Sequence, residues 1–214
     1  MQRPLNLLNA AVGMLERRQG GQADESLLDV LRQVRDEGST AVETLRSSVP
    51  QEPQEPVLPL NMNQLIHEVL LLSTPRLLSA GVVVDWQPTT DLPLLNGRER
   101  RMRSLLKQLV DNAIDAIADA NPDRRELVIS TRVEGDYLTL QVEDSGPGIP
   151  PELRFKVFEP FYTSKGGQHA GMGLPMVQEV VNQHYGTIDI DANFEDGCRI
   201  CLRFPLLNDS PQEW

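Results

Sequence analysis

The 214-residue chain predicts an α/β two-layer sandwich, preceded by an antiparallel helical hairpin that dimerises into a four-helix bundle. Three observations predict it. Apolar residues recur at three- and four-residue spacing through residues 4–18 and again through 25–48. A Pro-, Gln- and Glu-rich stretch, VPQEPQEPVLP at 49–59, then separates that pair from the rest of the chain. Beyond it, helical patterns interleave with two pairs of alternating segments, the signature of helices on a largely antiparallel sheet.

In residues 4–18, Leu5, Leu8, Val12 and Leu15 make one stripe, which Gly20 and Gly21 break. In 25–48, Leu27, Leu28, Val30, Leu31, Val34, Val42 and Leu45 resume it; Gly38 is a weak point that need not end the helix. A lone hairpin cannot bury both stripes, so pairing of residues 1–48 with a second copy is the economical arrangement. Residues 49–60 are linker, 61–207 a second domain and 208–214 a tail. In that domain Asn61 suits an N-cap for a helix from Met62 to Ser79, which Pro75 is expected to kink or end. GVVVDWQP (81–88) is a strand, and a long helix over 97–119 stops at Asn121-Pro122. ELVISTRVEG and DYLTLQVED alternate around Gly135-Asp136, a hairpin signal. A helix over 174–185 follows, and TIDIDANFEDGCRICLRFP closes a second hairpin.

The net charge of −11 and pI of about 4.7 repel phosphate backbones, which argues against direct binding of nucleic acid. An anion here must be held by a local site. No apolar run approaches the roughly 20 residues that a membrane helix needs, and no secretory signal opens the chain. Cys198 and Cys201 suggest no disulfide framework, and together these features predict a cytoplasmic protein. The Cys198-Arg-Ile-Cys201 spacing reads as strand, with the two thiols on opposite faces, rather than as a metal motif.

Four blocks point to a pocket: LLKQLVDNAIDAIAD (105–119), VEDSGPGIP (142–150), VFEPFYTSK (157–165) and GMGLPMV (171–177). In the first, Leu105, Leu109, Ala113 and Ala116 or Ile117 form the buried face of a helix, with Asn112 and Asp115 at its edge. An amide there is either satisfied by backbone or supplies a hard oxygen to Mg²⁺. In the second, a strand delivers Asp144 to its end. A carboxylate under an apolar pocket can accept from the exocyclic amine of adenine, while Gly146 and Gly148 admit close backbone approach. Alone, Asp-Gly turns after strands are common. In the third, Phe158, Phe161 and Tyr162 offer hinge packing for a Gly-rich lid at 163–171, where Lys165 could neutralise phosphate and His169 reads as lid surface. In the fourth, Gly171, Met172, Gly173 and Leu174 open a helix whose free N–H groups favour an anion. Each signal is weak singly; their order is specific.

On these blocks, residues 61–206 resemble the catalytic, ATP-binding domain of sensor histidine kinases, within the histidine-kinase-like ATPase superfamily. Asn112 matches that family's Asn box, DSGPGIP with Ile149 its first glycine box, FEPFYTSK its phenylalanine box and GMGLPMV its second glycine box. The resemblance implies ATP or ADP bound with Mg²⁺, Asp144 reading adenine, Asn112 holding the metal and a lid closing over phosphates. It also implies histidine phosphorylation and a response regulator as partner. The N-terminal hairpin resembles the dimerisation and phosphoacceptor domain of the same kinases, with Arg3-Pro4-Leu5-Asn6 matching the tail of a box whose His stands a few positions upstream. None of His67, His169 and His184 has that context; His67 and His184 read as structural or surface residues.

One further departure is Gln108, one helical turn before Asn112, where the family commonly has Asn or Glu. A neutral amide is no general base, but it can orient a water or ligand. PLNLLNAAVGMLERRQGG and GGQHAGMGLPMVQEVVNQHYGTIDID also resemble the kinase-like half of the NifL family of nitrogen-fixation regulatory flavoproteins. That resemblance implies nucleotide-responsive inhibition of a transcriptional activator without phosphotransfer, and sensory PAS domains upstream.

Overall fold

A computed structural model describes residues 55–163 and 171–206. The helical hairpin at 1–48 with its bundle, the first half of the linker, lid residues 164–170 and the 208–214 tail lie outside them. In chain order the elements are β1 (Leu58–Leu60), α1 (Met62–Ala80), β2 (Val83–Gln87), β3 (Leu95–Gly97), α2 (Glu99–Ala120), β4 (Glu126–Glu134), β5 (Tyr137–Asp144), α3 (Gly173–Gln183), β6 (Thr187–Ile190) and β7 (Cys198–Pro205). Two short 3-10 turns, Pro151–Leu153 and Lys156–Phe158, lie between β5 and α3.

The main sheet has the order β2-β4-β5-β7-β6. Its pairs are antiparallel except β2 with β4, which run parallel because α2 carries the chain back between them. Both expected hairpins form, with Glu134 opposite Tyr137 in one and Ile190 opposite Ile200 in the other. The fold is thus the α/β sandwich expected from the sequence, with a mixed sheet. One expectation needs correcting: Leu58–Leu60, read as linker, is a strand paired antiparallel with Leu95–Gly97. Both were missed because three-residue strands hold too few residues to show an alternation. Pro59 is tolerated because a two-stranded pair is all edge.

Asn61 caps α1 as expected, its side chain accepting from Gln64 N at 3.1 Å. Pro75 does not end the helix, which runs on to Ala80 and stops at Gly81 in the left-handed region. Pro75 lies on the exposed face, and burial of Val69 before it and Leu77 after it outweighs the missing hydrogen bond. In α2, Leu105, Leu109, Ala113 and Ile117 are buried at helical spacing, and the helix ends at Asn121 in the left-handed conformation before Pro122. Its N-terminus lacks a side-chain cap from Arg98. Glu55 supplies one instead: its carboxylate accepts from Arg100 N and, at 3.3 Å, from Arg101 N. Ion pairs fix α1 against α2, with Arg103 on Glu68 at 2.5 Å and Arg76 on Asp111 and Asp115.

His67 is exposed, while His184 is buried and structural. His184 Nδ1 donates to Val180 O at 2.7 Å and Nε2 accepts from Arg98 N at 3.0 Å, which ties the end of α3 to the start of α2 through a neutral ring. The next residue, Tyr185, is 83% exposed at φ 56°. That backbone costs an L-residue about 1–2 kcal/mol, and glycine returns about 0.5–1 kcal/mol of it to the unfolded chain. Tyr185→Gly is therefore expected to raise stability by about 0.5–1 kcal/mol in denaturant melts; a loss would show that Tyr185 makes a compensating contact.

Cys198 and Cys201 are free thiols on opposite faces of β7, as expected. Burial pushes Cys198 up to about 12, with the neighbouring Asp144 carboxylate adding to the effect, and burial also raises Cys201. The fold therefore favours the neutral Cys198 thiol. Unfolded, this thiol ionises around its ordinary value of 9.0, so its contribution is complete below that pH and is lost as pH rises towards 12. Stability is expected to fall over that interval less steeply in Cys198→Val, and iodoacetamide at pH 8 is expected to leave the native Cys198 thiol unmodified.

Candidate functional site

Gln108, Asn112 and Ala116 lie at four-residue intervals on one side of α2, all half-buried. They span about 12 Å. At one end, Gln108 packs under the first residue of α3: a Cβ on Gly173 would fall 2.6 Å from Gln108 Nε2. At the other, a Cβ on Gly146 would fall 3.0 Å from the Ala116 Cβ and 2.7 Å from Asp144 Oδ1. This side of α2 therefore joins the glycine turn that opens α3 to the end of β5, with Asn112 between them. Gln108 Nε2 donates to Asn112 Oδ1 at 2.8 Å.

Asp144 is the last residue of β5, a strand flanked by β4 and β7, and is only 9% exposed. Its Oδ1 accepts from Gly146 N at 2.9 Å. Gly148 sits at φ 73° against Gly197, whose carbonyl oxygen lies 2.7 Å from where a Gly148 Cβ would begin. Ile149 packs against the core, and its carbonyl accepts from Arg154 Nε at 3.2 Å. A buried carboxylate at a strand end beside such glycines can serve as a hydrogen-bond acceptor for a flat polar ligand.

Phe158 also packs on the core, and Tyr162 is half-buried. Phe161 N donates to Gly171 O at 2.9 Å, and Gly171, at φ 64°, has no room for a side chain against Phe161 and Tyr162. The chain entering and leaving residues 164–170 is thus pinned together at its base. Lys165 and His169 lie outside the described residues. Met172 precedes α3 without a side-chain cap, which leaves the first N–H groups of α3 for solvent or an anion, and Leu174 packs on the core. Asp115 is paired with Arg76 of α1 at 2.5 Å.

For a metal, the carbonyl of Asn112 is the right kind of donor for Mg²⁺. Among the described residues no group of three or more His, Cys, Asp or Glu could hold a metal by itself. A Mg²⁺ ion beside Asn112 would take its remaining oxygens from ligand phosphates and water, as this ion commonly does. Gly197, Arg154 and the Gln108–Gly173 contact escaped the sequence reading. Asp196-Gly197 reads only as a turn, Arg154 reaches the Ile149 carbonyl five residues back through a loop without periodicity, and Gln108 meets Gly173 across segments distant in sequence.

Residues 97–208 match the family described as histidine kinase-, DNA gyrase B- and HSP90-like ATPases, and the chain belongs to that family. Among curated relatives, it is 31% identical over 142 residues to the sensor protein CitS of Halalkalibacterium halodurans, covering 65% of this chain and 26% of CitS. It is 28% identical over 150 residues to sporulation kinase C of Bacillus subtilis, covering 70% of this chain and 34% of that kinase. The chain thus spans about a third or less of these relatives. The catalytic domain of the histidine kinase ThkA, a solved structure, superposes with a TM-score of 0.63 at 27% identity, covering 70% of this chain and 95% of that one. No helix among the described residues is long and apolar enough to cross a membrane.

Proposed function

We propose that residues 61–207 bind ATP or ADP with Mg²⁺, and that the chain is the transmitter region of a two-component-type sensor. The observation that supports this best is the side of α2 that joins Asp144 at one end to the turn before α3 at the other, with Asn112 between. In this reading Asp144 accepts from adenine. The phosphates lie towards Gly171, Met172 and Gly173, near the base of the segment that holds Lys165, and Asn112 supplies one oxygen to the metal. The bound metal neutralises phosphate charge. Kinase-type chemistry then delivers the γ-phosphate to a histidine, with the protein acting in the cytoplasm as a dimer through residues 1–48 and a response regulator as partner. The kinship with sensor kinases supports this, as does the solved complex of ThkA with the response regulator TrrA as an analogy for the partner.

Gln108 favours a second reading, a NifL-like module in which nucleotide state controls the grip on a transcriptional activator without phosphotransfer. The amide at that position cannot take a proton from an attacking group. Calorimetric titration with ADP and ATP, with and without Mg²⁺, tests the pocket. Incubation of the full-length protein with ATP labelled in its γ-phosphate separates the readings. Binding with label on a histidine supports the kinase, binding without transfer the regulatory module, and absence of binding sinks both.

A further inference from the structure

Gln108 stands where the resembling kinases commonly have Asn or Glu, and its amide is engaged on two sides. Its Nε2 donates to Asn112 Oδ1 at 2.8 Å, and the same nitrogen lies 2.6 Å from the point where a Gly173 side chain would begin. The amide is wedged between the residue proposed to bind metal and the first residue of α3. That contact also gives Gly173 a reason of its own: alanine there would push Gln108 off its seat.

The hydrogen bond also sets the sense of the Asn112 amide. With its N–H₂ turned towards Gln108 Nε2, donor would face donor. While Gln108 presents its Nε2, the pairing holds the Asn112 oxygen towards it. An amide oxygen has two lone pairs, so accepting from Gln108 does not bar it from a cation. Mg²⁺ tolerates little error in ligand geometry, and neighbours that orient a metal ligand are typically worth about 10–100-fold in metal affinity. From this geometry we infer that Gln108 is the positioning residue of the metal site: it presents the Asn112 oxygen to Mg²⁺ and makes that presentation depend on the seating of the turn that opens α3. The inference rests on the nucleotide reading above. It gives the amide a task that a general base at this position could not perform, because an ionised carboxylate cannot donate.

The test is the factor by which Mg²⁺ improves ADP affinity, measured by calorimetry in EDTA and in Mg²⁺. Gln108→Met keeps the length of the side chain and removes the donor. It is expected to cut that factor, the ratio of the two affinities, about tenfold. Asn112→Ala is expected to cut the factor at least as far, and adding Gln108→Met to it to change nothing more. A wild-type factor in Gln108→Met, or a further loss in the double variant, overturns the inference while leaving the nucleotide site intact. If Gln108→Met melts too low to titrate, Gly173→Ala displaces the same amide without changing its chemistry, and a wild-type factor there overturns the inference equally. A wild-type protein that binds no ADP overturns the positioning role together with the site.

Discussion

Asp144→Asn is expected to weaken ADP binding by about 100-fold, or about 3 kcal/mol. The substitution keeps the shape of the side chain and an oxygen able to accept from Gly146 N, so the turn can persist. What changes is the remaining position, where an amide places N–H₂ against the exocyclic amine of adenine. Two donors then meet in a pocket whose floor is only 9% exposed, and water cannot easily relieve them. Calorimetry with ADP measures the loss, and denaturant melts without nucleotide measure the fold. A dissociation constant within about threefold of wild type would remove Asp144 from the site. Loss of binding with an equal loss of stability would make it a structural residue instead.

Gly197→Ala is expected to be the most damaging single methyl in the described fold. A Cβ there would lie 1.8 Å from the Asp144 carbonyl oxygen, at a φ of 142°. The obstacle is backbone in a strand paired on both sides, so it cannot move aside. We expect a loss of about 4 kcal/mol or more, hence a melting temperature lower by about 10 °C, with nucleotide affinity falling too because Asp144 must shift. Gly135→Ala provides the comparison. Its φ is also positive, but at 61° it lies in the left-handed region that L-residues can reach, and nothing stands within 4 Å of the added carbon. Its cost is expected near 1 kcal/mol, the backbone term alone. Similar melting curves for the two variants would show that the end of β5 yields more than its pairing suggests.

Much of the candidate site was legible because the chemistry proposed for it depends on residue types that leave a local signature. Asn112 stood out as an amide at the edge of an apolar helical face, Asp144 as a carboxylate at the end of an alternating strand. The glycines mark turns that other residues resist. The same locality explains the two hairpins, the Asn61 cap and the thiols on opposite faces of β7, all of which rest on periodicity or on one turn of backbone. The expectations that failed were non-local. Pro75 was expected to kink or end α1, and the second of these does not occur, because burial on both sides of it carries the helix on to Ala80. Leu58–Leu60 was read as linker, because its partner strand lies more than 30 residues away and only that pairing makes it a strand.

Sequence alone therefore determined the class of fold, the order of its longer elements and the residue types at the candidate pocket, since propensity, period and turn chemistry act over a few neighbouring residues. Tertiary structure alone decided which of those residues meet. The Gln108 amide lies under Gly173, Gly197 closes on the Asp144 backbone, Arg76 takes Asp115, and Glu55 caps a helix that begins 44 residues later. Those contacts depend on where packing brings distant segments, and no spacing along a single chain encodes that in a form that can be read locally.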